Sequence, residues 1–312
     1  MRPEPKMRPE PKMRPEPKMR PEPKMRGVLK MPGGPKLEAL AERLGALERV
    51  VVAFSGGVDS SLLAWAATEV LGRSRALCAT AVSPSLAPEE LLDCRSLASQ
   101  WGLRWEQVTT GEISDPAYAA NRPDRCYHCK THLMDALAPL AASEGSRVVL
   151  GVNLDDLDDY RPGQQAAAER GALFPLVEAG FTKTDVRNVS RSLGLRTWDK
   201  PAAPCLSSRL PYGTPVTIAN LRAVQVAESG LRALGFGELR VRHYGKMARV
   251  ELPDPDIERA VSLRAEVVAA LKRAGFDYVT IDLEGLRSGN LSSSFPEGTT
   301  ARSCIDTEEI AR

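Results

Sequence analysis

The run Ser55-Gly56-Gly57-Val58-Asp59-Ser60-Ser61 stands where an apolar stretch, residues 50–54, hands over to a helical pattern beginning near Asp59. Two glycines let the backbone approach oxygen atoms that any Cβ would block. Successive N–H groups there form an anion-binding concavity. The N-terminus of the following helix adds the positive end of its dipole. A strand-to-helix turn so built suits pyrophosphate. No Lys-Ser/Thr pair follows the glycines, which separates the run from the phosphate loop of ordinary kinases and GTPases.

The pattern SGGxDS resembles the PP-loop of ATP pyrophosphatases, which cut ATP between its α and β phosphates and place AMP on a substrate. In that reading Ser55, Gly56, Gly57, Val58, Asp59 and Ser60 hold the nucleotide. The blander alternative is a polar turn in a Rossmann-like core.

With 312 residues and 43% hydrophobic content the chain can bury a full core, and two domains are expected. No apolar run approaches a membrane span. The N-terminus is basic without a hydrophobic segment, and the six cysteines accompany no export signal, so a reducing, cytoplasmic setting is expected. Residues 1–36 carry eleven Lys or Arg against four Glu, which leaves the rest of the chain net acidic at an overall charge of +2. An acidic body argues against a broad nucleic-acid surface.

The tail opens with four copies of Met-Arg-Pro-Glu-Pro-Lys, starting at Met1, Met7, Met13 and Met19. Such proline density favours extended, solvated chain over helix or sheet. It reads either as an interaction arm or as an inert extension, with Met25 or Met31 the true start.

From residue 37 helix and strand alternate: helices over 37–47, 59–71, 88–101 and 127–142, and strands over 50–54, 75–82, 104–108 and 147–152. This order predicts an α/β fold with a parallel, doubly wound sheet over residues 37–214. Ligands then sit at the carboxyl ends of the strands. Ala81 ends the second strand, where adenine would lie, and Gly151 and Asn153 end the fourth. Residues 175–194 read as a linking helical segment. Beyond a boundary near 212–215, a helix over 218–234, strands over 239–243 and 247–252, a helix over 260–274 and a strand over 278–283 predict a smaller α+β domain, 215–291. Residues 292–312 read as a polar tail.

Cys126 and Cys129 form a C-x-x-C pair at a helix start, where the dipole favours thiolate, and Cys205 lies in a distant loop. Three thiolates suit a [4Fe–4S] cluster with one open iron. Zinc with His128 or His132 as fourth ligand is an alternative, as is a metal-free catalytic Cys205. Cys78 and Cys94 read as buried filler, and Cys304 lies in the polar tail.

Taken together, SGGVDSS, Arg122-Pro-Asp-Arg-Cys-Tyr-His-Cys-Lys130, Gly151-Val-Asn-Leu-Asp-Asp156, Asp159-Tyr-Arg-Pro-Gly163, Trp198-Asp-Lys-Pro-Ala202, Pro204-Cys-Leu-Ser-Ser-Arg-Leu-Pro-Tyr-Gly213 and Asp282-Leu-Glu-Gly-Leu-Arg-Ser-Gly289 resemble the LarE family of ATP-dependent sulfur transferases. The resemblance covers about residues 37–291. It departs at Leu286, where the family usually has an aromatic.

The resemblance implies an adenine nucleotide alpha hydrolase-like fold and a homo-oligomer. It implies ATP- and Mg2+-dependent adenylation of a carboxylate of pyridinium-3,5-biscarboxylic acid mononucleotide, then replacement of its oxygen by sulfur, in the making of the nickel-pincer cofactor of lactate racemase. Members with one cysteine at the position of Cys205 give up its own sulfur, whereas members with all three resemble cluster-dependent versions. It also implies a substrate and metal site in the C-terminal domain, matching Arg240, Arg242, Glu228 and Glu251.

On chemical grounds Asp59 is the first candidate for Mg2+ and Cys205 for the sulfur-bearing nucleophile. Arg209 would stabilise the Cys205 thiolate or hold substrate phosphate. Arg240 and Arg242, at alternate strand positions, face one side; a solvated surface is the alternative for all these charges. A tRNA thiolase also joins a PP-loop to three cysteines. A nucleotide-sensing scaffold leaves Cys205 unexplained, and amidotransferase-like PP-loop enzymes need no such cysteine set.

Overall fold

The computed structural model describes residues 34–157 and 162–287. The readings of the hexapeptide repeat, of Asp159 to Arg161, of Ser288 and Gly289, of Cys304 and of the 292–312 tail lie outside the described residues.

Helix α1 (Pro35–Ala46) opens on a proline, whose fixed φ suits a first helical turn, and buries Leu37, Leu40 and Leu44 along one stripe. Strand β1 (Val50–Ala53) is Val-Val-Val-Ala, β-branched residues that fit a pleated, buried surface. Then come α2 (Val58–Leu71), β2 (Ala76–Val82), α3 (Pro88–Gln100), β3 (Arg104–Thr109), the short α4 (Pro116–Ala119), α5 (Arg125–Glu144) and β4 (Arg147–Leu150). After these come α6 (Pro162–Glu169), α7 (Pro175–Glu178) and α8 (Lys183–Ser192). Neither α4 nor α6 was expected from the sequence.

The first sheet is parallel throughout, with strand order β3-β2-β1-β4, Val50 pairing with Ala76 on one side and Arg147 on the other. Chain order therefore runs outward from β1 in one direction and resumes at β4 in the other. Between β1 and β4 lies the topological switch point, where the loops leaving neighbouring strands part and open a crevice.

Two apolar layers sandwich the sheet. Leu40, Leu63, Phe181 and Val186 pack with Val50 and Val52 on one face, and Met134, Leu137, Ala141 and Ala167 with Val51 and Val148 on the other. Nine side chains of α2 are buried, so this helix is clamped from most sides. Each fully buried large aliphatic side chain contributes about 1.5–3 kcal/mol.

The second unit joins α9 (Ile218–Ala233) to β5 (Arg240–Tyr244), β6 (Met247–Glu251), α10 (Asp254–Ser262), α11 (Arg264–Arg273) and β7 (Tyr278–Ile281). β5 and β6 are antiparallel and β6 and β7 parallel. One expectation is corrected: the helix read over 260–274 is two helices that break at Leu263. Pro255 and the acidic residues Asp254 and Asp256 start a helix six residues earlier than the apolar periodicity suggested. The units meet over a small core in which Tyr118, Leu206, Leu210, Val216, Leu221 and Val224 are buried together.

Candidate functional site

The glycine turn occupies the switch point. Gly56 has φ +71°, and a Cβ there would stand 2.9 Å from the Cys94 sulfur, so both conformation and space require glycine. Gly57 is the N-cap of α2, and no side chain caps the helix. Its first N–H groups are therefore available to an anion. The Ser55 and Ser60 hydroxyls lie 3.1 Å apart, and Ser60 donates to the Gly57 carbonyl at 3.2 Å. Gly151, just beyond β4, abuts the α2 backbone so closely that a Cβ would come within 2.6 Å of the Ser60 nitrogen. Ala81, half-buried, closes β2 opposite Val108.

Asp59 is held from two sides. Asn153, fully buried, donates through Nδ2 to Asp59 at 3.0 Å and to Asp156 at 2.8 Å. Lys183, the first residue of α8, places Nζ 2.5 Å from Asp59. Its backbone N–H donates to Asp155 at 3.0 Å. The sequence reading missed Lys183. Its local signal, the Thr182/Asp185 capping box, fixes a helix start but does not say that this start faces the glycine turn.

Lys200 was also missed, although it lies in a quoted motif. Its Nζ donates to the Gly56 carbonyl at 3.2 Å and to Glu90 and Asp93, both at 2.7 Å. Burial works against the Lys200 charge, but hydrogen bonds to Asp93 and Glu90 outweigh it, so its pKa lies above the ordinary value. Cys94, behind the turn, is buried with its pKa pushed up to about 11, and Cys78 likewise to about 12. Both fit the reading as filler.

The other cysteines among the described residues, Cys126, Cys129 and Cys205, gather on a second face. Cys126 is exposed in the first turn of α5, Cys129 lies half-buried one turn on, and Cys205 is the exposed N-cap of a short 3-10 helix, Leu206–Arg209. The expected thiolate character fails at Cys129: burial first, then the neighbouring Cys205 sulfur, pushes its pKa up to about 12. His132 engages Asp115 at 3.1 Å, and His128 lies 3.8 Å from Asp115 and 3.6 Å from Asp124. Both imidazoles thus have carboxylate partners.

The Cys205 segment is tied down on both sides. Ser207 closes a buried ring of three hydroxyls with Tyr118 and Ser85, at 2.6, 2.6 and 3.1 Å. Asn121, at φ +51°, donates to the carbonyls of Leu210, Pro211 and Thr214.

Arg209 and Arg242 are buried, which excludes the solvated-surface alternative for both. Arg209 pairs with Glu228 at 2.8 Å and donates to the Pro204 carbonyl at 2.7 Å. Arg242 forks onto Glu251 with two bonds of 2.9 Å and reaches the Ser208 carbonyl at 2.7 Å. Glu228 and Glu251, expected at a metal, are fully buried and engaged by guanidiniums, Arg232 and Arg249 being additional partners that sequence reasoning missed. A metal ion there would have to displace them. Arg240 is different: it donates to the Arg287 carbonyl and makes no direct ion pair with a carboxylate among the described residues, although Glu251 and Glu228 lie close enough to favour its charge. Burial, then the adjacent charges of Arg242 and Arg209, lowers its pKa.

Among the described residues no group of three or more His, Cys, Asp or Glu closes to the spacing of a single metal ion, and no helix is long and apolar enough to cross a membrane.

The family model for NAD synthase matches residues 37–133, the portion that carries the glycine turn. A Synechocystis sp. protein of uncharacterised function is 50% identical over 82% of this chain and 97% of its own length. The pyridinium-3,5-bisthiocarboxylic acid mononucleotide synthase of Lactiplantibacillus plantarum is 41% identical over 85% of this chain and 97% of its own length. A tRNA-specific 2-thiouridylase of Azorhizobium caulinodans is 28% identical over 65% of this chain and 61% of its own length.

Proposed function

The chain belongs to the LarE family of ATP-dependent sulfur transferases, and from that premise we propose that it adenylates a carboxylate of pyridinium-3,5-biscarboxylic acid mononucleotide and converts it to a thiocarboxylate. The observation that carries the reading is the uncapped start of α2 at the switch point, within one fold of a cysteine loop anchored at both ends.

A carboxylate resists nucleophiles because its charge is delocalised and its leaving group would be oxide. Attack of its oxygen on the α-phosphorus of ATP releases pyrophosphate and forms an acyl-adenylate, whose leaving group is AMP. The free amides of Gly57, Val58 and Asp59 and the hydroxyls of Ser55 and Ser60 neutralise the departing pyrophosphate. Lys183 supplies the charge that a Walker-type lysine supplies elsewhere, exchanging Asp59 for phosphate when ATP enters. Asp59, once free of Lys183, would hold Mg2+, which would offset the phosphate charge. Ala81 and the end of β2 receive adenine. Arg240, which makes no direct ion pair with a carboxylate among the described residues, holds the phosphate of the substrate mononucleotide. Arg209 and Arg242 hold the Cys205 loop, with Glu228 and Glu251 as their counter-ions.

Sulfur then attacks the acyl carbon and AMP leaves. Cys126, Cys129 and Cys205 fit a [4Fe–4S] cluster in donor chemistry, being three soft thiols on one face. These three residues would hold such a cluster, whose iron would favour their thiolate forms. A cluster bound there would offer an open iron for external sulfide, sparing the sulfur of Cys205. A homo-oligomer and a cytoplasmic setting complete the proposal.

The test is turnover with ATP and the mononucleotide. AMP, pyrophosphate and a thiocarboxylate product support the reading; ADP and orthophosphate refute it. The 28% likeness to a thiouridylase makes tRNA the control substrate, and its binding and thiolation would replace the mononucleotide in this scheme.

A further inference from the structure

A buried charge is costly unless an opposite charge accompanies it. Arg209 and Arg242 obey this rule, each against a glutamate. Arg125 does not. It is 6% exposed, and among the described residues no Asp or Glu stands within ion-pair distance. Its Nη1 donates to the Asn121 amide oxygen at 2.6 Å and to the Ser207 carbonyl at 2.8 Å, and its guanidinium carbon lies 5.8 Å from the centroid of the Tyr212 ring. These two acceptors occupy Nη1 and are uncharged, so they leave the charge without a counter-ion.

Its position says which anion is missing. Arg125 immediately precedes Cys126 in the first turn of α5, and the carbonyl it grips lies two residues beyond Cys205. One guanidinium therefore joins the two sulfur-bearing segments. We propose that Arg125 is the counter-charge for anionic sulfur at the Cys126–Cys205 face, a positioning residue that draws a soft sulfur anion to that face and keeps it there. The proposal rests on the sulfur-transfer reading for the purpose of that anion. Burial opposes the Arg125 charge, and Cys205 and then Cys126 favour it, which agrees with the placement. Arg122, three residues earlier, is exposed and takes no part in this buried contact.

The test uses the reduced, metal-free full chain, without ATP or substrate. Cys126 and Cys205 are alkylated with iodoacetate, which is anionic, or iodoacetamide, which is neutral, and the labelled peptides are quantified by mass spectrometry. The ratio of the two rates cancels differences in thiol ionisation and reads the local field. The folded chain should show a ratio about fivefold above that of the urea-unfolded chain, falling as salt is added. Arg125→Gln should return the ratio to the unfolded value, and Arg125→Lys should keep most of it. Equal ratios in folded and unfolded wild type overturn the proposal, as does an unchanged ratio in folded Arg125→Gln. Should Arg125→Gln fail to fold, the wild-type ratio and Arg125→Lys decide: a folded Arg125→Lys at the unfolded ratio refutes it. Neither reagent depends on adenylation, so failure here leaves the sulfur-transfer reading standing, and failure of that reading leaves this measurement valid.

Discussion

Replacing Gly151 by alanine tests whether the end of β4 sets the position of the pyrophosphate site. The new methyl carbon would stand 2.6 Å from the Ser60 nitrogen, 2.8 Å from the Asp59 carbonyl carbon and 2.9 Å from the Ser60 Cα. All three are backbone atoms of the first turn of α2, and none can swing aside as a side-chain tip would. Ordinary contact requires about 0.8 Å more room, which only a shift of β4 or of the helix start can provide. Overpacking of this kind costs about 1–3 kcal/mol. For a domain of this size that lowers the thermal midpoint by about 3–10 °C. The same shift carries Asp59 and the Ser60 hydroxyl with it, and a misplacement near 1 Å costs about 100-fold in a positioned reaction. Scanning calorimetry and substrate-dependent pyrophosphate release read the two effects. Gly237→Ala, with nothing within 4 Å of its Cβ and no left-handed φ, is the control and should stay within about 0.5 kcal/mol of wild type. Wild-type midpoint and rate in Gly151→Ala would refute the argument.

Three further outcomes are expected. Cys126→Ser, Cys129→Ser and Cys205→Ser should each lose most bound iron after anaerobic reconstitution while pyrophosphate release persists. Intact-mass analysis of wild type after turnover with excess sulfide should show Cys205 unchanged; stoichiometric dehydroalanine there would make that cysteine sacrificial. Glu228→Gln strands the buried Arg209 charge and should destabilise the chain by about 3–5 kcal/mol in urea unfolding; a loss below 1 kcal/mol would remove the pair from the account of the Cys205 loop. Hydrogen bonds from Lys36 and Thr182 lower the Asp185 pKa from 3.8 to about 2. The stability it contributes is therefore complete above about pH 4 and lost as pH falls toward 2. Asp185→Asn should flatten the acid limb of a stability–pH curve in that window, and an unaltered limb would contradict the assignment.

The sequence by itself determined what local chemistry can encode. A Val-Val-Val-Ala strand, two glycines and a helix start specify an anion-binding turn because each residue acts on its immediate neighbours. Alternating helix and strand predicted the parallel sheet, and three cysteines with Pro-Cys-Leu-Ser-Ser-Arg marked the segments proposed here to handle sulfur. Even the α10–α11 error was local, since periodicity hides a break where apolar spacing continues across it. What the tertiary structure alone decided are pairings between distant residues: Lys183 with Asp59, 124 positions apart, Lys200 with Gly56, 144 apart, and Arg125 with the loop beyond Cys205. A lysine at a helix start reads the same whether it meets solvent or a carboxylate. A charged residue acquires its role from the groups that burial forces against it, and those are chosen by how the sheet and its helices pack.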